Sequence, residues 1–71
     1  MYRLILILPE GGYQIATRSR KYDGMYYQPG FTSNPSDPMI QSYTKSGALR
    51  CMRIYRKRGL DVLVIDAAKG V

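Results

Sequence analysis

Histidine and tryptophan are absent from this chain, cysteine occurs once, and Asp and Glu together number five. Each shortage removes a class of function. Without His the commonest general acid–base group is missing, and Cys51 has no imidazole to activate it as a nucleophile. A lone cysteine makes no internal disulfide, and without His or a second Cys the usual zinc ligand sets cannot assemble within one chain. The carboxylates do not pair. Asp61 and Asp66 have an odd spacing that sends them to opposite faces of a strand, and Glu10, Asp23 and Asp37 sit among turn residues. Gly11-Gly12 lacks the spacing of a dinucleotide fingerprint, and Lys45-Ser46-Gly47 follows no glycine-rich loop. The expectation is a protein that is not an enzyme, with no catalytic residues, no metal site, no cofactor and no small-molecule substrate.

Long apolar runs are missing as well. Residues 4–8, Leu-Ile-Leu-Ile-Leu, end at Pro9-Glu10-Gly11-Gly12. That run is shorter than the about 7–15 residues of a secretory apolar region and far below the ~20 of a membrane helix. Asn34-Pro35-Ser36 has proline where an N-glycosylation acceptor excludes it. The chain reads as soluble and cytoplasmic, with no membrane partner.

What is present fits one small domain spanning residues 1–71. The apolar share of 45% and charged share of 23% are ordinary for a globular protein, so the chain should fold. A domain of this size buries only about 60% of its unfolded surface, so stability from a partner is expected where disulfide and metal are lacking.

Residues 4–8 read as a strand apolar on both faces, and the Pro9–Gly12 cluster as a tight hairpin. Residues 13–18 alternate, with Tyr13, Ile15 and Thr17 on one side, and form the return strand. Residues 19–38 hold three turn clusters, Asp23-Gly24, Gln28-Pro29-Gly30 and Asn34-Pro35-Ser36-Asp37-Pro38, with Met25-Tyr26-Tyr27 between them able to continue the sheet for a few residues, and read as a long Tyr/Pro-rich loop, the first place to look for function. Asp37-Pro38 has the form of a helix start, but the periodicity places the helix later. At about 100° per residue from Ala48, the residues Ala48, Leu49, Cys51, Met52 and Tyr55 share one arc, whereas Met39, Ile40 and Tyr43 fall on another. The helix is therefore set at 45–58, with Thr44 as N-cap and Gly59 as stop signal. Residues 60–66 form a last strand, antiparallel to the first. The expected fold is a small α+β domain, ββαβ, with a three-stranded sheet in the order 2-1-3 and the helix across one face. The other face is left uncovered, which points to self-association as a homodimer through it, or to the tyrosine-rich loop folding back.

The net charge of +6 is local in origin. Arg18, Arg20 and Lys21 end the second strand, and Arg50, Arg53, Arg56, Lys57 and Arg58 lie on the helix. Arg50, Arg53 and Lys57 form one stripe opposite the apolar arc, able to track phosphates, and arginine favours bidentate phosphate contact. Cations in a last helical turn are also favoured by the helix dipole, which alone accounts for Arg56, Lys57 and Arg58. Tyr22, Tyr26, Tyr27 and Phe31 follow the first basic group, and cations interleaved with aromatic rings can hold single strands by their backbone and stack on their bases. The same residues suit a protein hot spot, or a cover for the open sheet face. Nucleic-acid binding, to DNA or RNA, is the leading expectation, through Arg18, Arg20, Lys21, Arg50, Arg53 and Lys57 with Tyr26 and Tyr27 stacking. The alternative is a protein-binding inhibitor or adaptor that docks on an acidic partner surface.

The hairpin, the helix start Tyr43-Thr44-Lys45-Ser46-Gly47-Ala48-Leu49, the helix and the final strand resemble in plan and length several very small phage-encoded proteins that inhibit or redirect host enzymes. The resemblance implies the second, regulator-type reading and carries over no site residue.

Overall fold

The computed structural model describes the backbone of residues 1–22 and 26–69 and the side chains of residues 1–18 and 30–69. Strand β1 (Tyr2–Ile7), strand β2 (Tyr13–Tyr22), strand β3 (Tyr26–Thr32), helix α1 (Lys45–Lys57) and strand β4 (Val62–Asp66) follow in that order. All neighbouring strands are antiparallel, and the sheet runs β3-β2-β1-β4. The result is a small α+β fold with one helix packed against an antiparallel sheet.

The hairpin between β1 and β2 follows from its sequence. Pro9 and Glu10 occupy the turn, Gly11 donates its N–H to Leu8 O at 3.1 Å, and Gly11 and Gly12 take φ of 99° and 80°, which a residue with a Cβ adopts only with strain. The helix bounds are equally local. Thr44 Oγ1 accepts from Gly47 N at 3.2 Å, satisfying one of the free N–H groups of the first turn. At the other end Gly59, with φ 86°, donates to Arg56 O, and Leu60 donates to Tyr55 O, the paired bonds of a Schellman ending.

Three of the expected strands occur, in the expected order around β1, but the sheet has four strands and not three. Residues 19–38 are not one loop: β2 continues to Tyr22 and β3 occupies Tyr26–Thr32. The turn-like Gln28-Pro29-Gly30 is accommodated by an irregularity in the ladder. Thr17 pairs with Gly30 but Arg20 pairs with Gln28, so two β2 residues face Pro29 alone. Proline lacks a ladder N–H and is tolerated at such a bulge on an edge strand. Gly30 beside it leaves room for Thr17, since a Cβ there would stand 2.7 Å from Thr17 Oγ1.

Residues 39–43 form no part of the helix, as the periodicity requires, and they insert between two strands. Ile40 bridges Thr17 of β2, and Tyr43 bridges Tyr2 of β1 through bonds of 2.9 and 2.8 Å. β1 and β2 thus pair only from Ile5 to Ile7, and β2 then departs with β3 as a long hairpin.

Residues directly opposite in an antiparallel ladder share a face. Leu4, Leu6, Ala16, Val62 and Val64 lie on the helix side and pack with Ala48, Cys51, Met52, Tyr55, Leu60, Tyr43 and Phe31. Ile5, Ile15 and Leu63 lie in one row on the other side. That second face is not uniformly open: Ile5 and Ile15 are buried, while Leu63 and Tyr13 remain exposed.

Candidate nucleic-acid interface

Helix α1 presents Arg50, Arg53 and Lys57 outward, all exposed, on the side opposite buried Ala48 and Tyr55. Spacings of three and four residues put them on one face. No carboxylate lies anywhere in the helix, and its first turn is free of acidic residues. Among the described residues none of the three has a hydrogen-bond or ion-pair partner. Exposed Ile54 is carried on the same helix.

Of the other cations on or beside the helix, Arg56 is engaged locally. Arg56 Nε donates to Val62 O at 3.1 Å, tying the last turn to β4, and Arg58 is the C-cap residue. The Arg56 bond depends on where the chain returns after Gly59 and has no signal in the sequence.

Arg18 is exposed, and its N–H donates to Met39 O at 2.8 Å where the inserted segment meets β2. Arg20 and Lys21 lie further along β2, and the register sets Arg20 opposite Gln28 and Lys21 opposite Tyr27, with Tyr22 opposite Tyr26. The backbone of Arg20, Lys21, Tyr26 and Tyr27 is thus placed on one hairpin, while their side chains lie outside the described residues. So does the whole of Asp23, Gly24 and Met25. The eight candidates accordingly divide between two elements: Arg50, Arg53 and Lys57 on α1, which packs over β1 and β4, and Arg18, Arg20, Lys21, Tyr26 and Tyr27 on the β2–β3 hairpin.

Phe31, which sequence proximity grouped with the loop tyrosines, belongs to the helix side of the sheet. Its ring meets Tyr55 edge-on, with centroids 5.7 Å apart and planes at 61°. Tyr43, Cys51 and Tyr55 complete this corner. Burial first, then the neighbouring Tyr55 and Cys51, push the Tyr43 phenol up to about 12. Burial followed by Cys51 also raises Tyr55, with Arg58 opposing. Both phenols are neutral at ordinary pH and belong to packing. Two of the acidic residues are likewise used in local structure: the Asp37 carboxylate accepts from Met39 N at 2.8 Å and that of Asp66 from Ala68 N at 3.0 Å. Among the described residues no group of three or more Cys, Asp or Glu gathers where it could hold a metal ion, and no helix is long and apolar enough to cross a membrane.

No protein-family model matches the chain, and neither a curated protein nor a solved structure matches it.

Proposed function

We propose that this chain is a non-enzymatic binding module for nucleic acid, engaged through Arg50, Arg53 and Lys57 on α1 and through the Arg18, Arg20 and Lys21 stretch of the β2–β3 hairpin. The observation that carries the reading is the charge of the helix. Lys45, Arg50, Arg53, Arg56, Lys57 and Arg58 follow one another with no carboxylate among them, and the outward three have no partner among the described residues. Uncompensated cations on one helix face repel each other and gain most from a polyanion, whose condensed counterions are released on binding. The hairpin supports the same ligand, because its register places Lys21 opposite Tyr27, and cations and aromatic residues brought to one element suit a single strand. A polymer of phosphates also accommodates two separate basic elements more readily than a compact ligand does.

The test is a titration with mixed DNA and RNA oligomers at several salt concentrations. Binding is expected to weaken with salt along a log–log line whose slope follows the number of phosphates contacted. Replacing Arg50, Arg53 and Lys57 together by Ala should lower the affinity by at least tenfold and flatten that slope by up to about three, one for each phosphate no longer neutralised. No binding of any oligomer below about 10 μM at low salt, where even non-specific binders register, would reject the reading. A single protein captured in stoichiometric amount would then favour the docking of the same cations on an acidic protein surface.

A further inference from the structure

The sheet ends in two unlike edges. The outer strand β3 carries Pro29 at a bulge, features that blunt pairing with another chain. The other outer strand, β4, is Val62-Leu63-Val64-Ile65-Asp66, with no proline, glycine or lysine. Its hydrogen-bonding direction can be worked out from the two bonds that bracket it. Ile7 N donates to Asp61 O at 2.8 Å, and Ala67 N donates to Met1 O at 3.0 Å, so residues 61 and 67 face β1. Alternation turns Leu63 and Ile65 the same way and leaves the N–H and C=O of Val62, Val64 and Asp66 directed away from the sheet. Arg56 Nε donates to one of these outward groups, Val62 O.

From this edge we infer that β4 pairs with β4 of a second copy of the chain, antiparallel about a two-fold axis at Val64, to make one continuous sheet. Such an axis sets Val64 opposite its own copy and Val62 opposite Asp66 of that copy, so every outward N–H meets an outward carbonyl. Carbonyls carry two lone pairs, so Val62 O can keep Arg56 and Asp66 O can keep the bond from Lys69 N while each accepts another.

Charge identifies the occupant as a second copy in preference to an arbitrary extended peptide. Arg56 stands at the Val62 end of the edge and Asp66 forms the other end. The two-fold reverses one edge against the other and brings each Arg56 beside the Asp66 of its counterpart, twice by symmetry. The apolar row on the second face continues in the same register. Ile15 and Ile5 are 1% and 5% exposed between cross-strand neighbours, whereas Leu63, where the row stops, is 42% exposed. The pairing sets Ile65 of the second copy opposite Leu63 and extends that row across the junction. Both helices then lie on one side of the joined sheet.

Sedimentation of the full chain over a concentration series tests this. A reversible dimer with a dissociation constant of about 10–100 μM is expected, the weak range suited to a short strand junction. Arg56→Glu alone and Asp66→Lys alone place like charges together at both ends and should each weaken the dimer at least tenfold. An equimolar mixture of the two variants should recover the original affinity, because every end then holds opposite charges. Val64→Pro removes the central outward N–H at an edge position that tolerates proline, and should be monomeric with an unchanged circular dichroism spectrum. The inference fails if the wild-type chain stays monomeric to about 500 μM, far above that weak range. It also fails if the mixture associates no better than either variant, or if folded Val64→Pro still dimerises, which would assign self-association to another surface. Should Val64→Pro unfold, the charge-exchange mixture decides alone.

Discussion

Leu4 and Ile5 are neighbours in β1, point to opposite sides of the sheet, and are both buried, but different structure buries them. Leu4 lies under the helix in a cluster with Ala16, Ala48, Tyr55 and Val62, ringed by half-buried Tyr2, Leu6, Phe31, Tyr43, Cys51, Met52, Leu60 and Val64. Ile5 lies in a single cross-strand row, next to Ile15 and exposed Leu63. One face is thus a packed layer. The other is a buried stripe with open flanks. An apolar strand residue is therefore not equivalent on the two sides: removing it from the layer leaves a cavity, whereas removing it at the flank of the stripe exposes little that was hidden.

The sharpest test of that contrast compares Leu4→Ala with Leu63→Ala. The first should cost about 2–5 kcal/mol, the range for emptying a packed site that cannot collapse, and in a domain this small that is much of the total stability. The second should stay within about 0.5 kcal/mol, as at most exposed positions. Urea midpoints of the two variants measure the difference. Equal losses would mean that the two faces are packed alike.

A smaller loss is expected from Gly30→Ala. The new Cβ would approach Thr17 Oγ1 to 2.7 Å, and Thr17 is itself buried at the join between β2 and β3. Either Thr17 must turn about χ1 in its buried site or a strand must shift, so a cost of about 1–3 kcal/mol is expected, as for other overpacking changes. Restoration of stability in the double variant Gly30→Ala, Thr17→Ala would identify the clash as the cause, and a Gly30→Ala chain as stable as the original would remove the steric account.

Gly30 also explains why part of the fold could be read in advance and part could not. The helix was legible because its signals are local: Thr44 caps it, Gly59 ends it, and the arc from Ala48 to Tyr55 gives its buried side. β1, β2 and β4 were legible from short apolar or alternating runs. β3 was legible only at its start, Tyr26 and Tyr27, because Gln28-Pro29-Gly30 reads as a turn and the features that make it strand, a bulge opposite Pro29 and a threonine needing the space at Gly30, act across the ladder. Within the candidate site the wheel correctly set Arg50, Arg53 and Lys57 outward. Proximity in sequence failed for Phe31, since contact with Tyr55 is made by the return of the chain over the sheet.

The smallest effect expected is a pH dependence confined to the helix face. Burial, and then Tyr55 and Cys51 nearby, raise Tyr43 from 10.0 to about 12, and Tyr55 is raised as well. Between those two values the folded chain still holds a proton that the unfolded chain has released, so the folded state binds more protons and stability falls as pH rises. The contribution of the neutral phenol is thus complete below about pH 10 and is lost between about pH 10 and 12. Tyr43 is only half-buried, so water screens part of the effect. Urea midpoints between pH 9 and 12 should fall less steeply for Tyr43→Phe than for the original chain, with the remaining slope due in part to Tyr55. Parallel slopes in the two chains would show that the phenol stays in contact with solvent after folding, and that the layer under the helix does not extend as far as Tyr43.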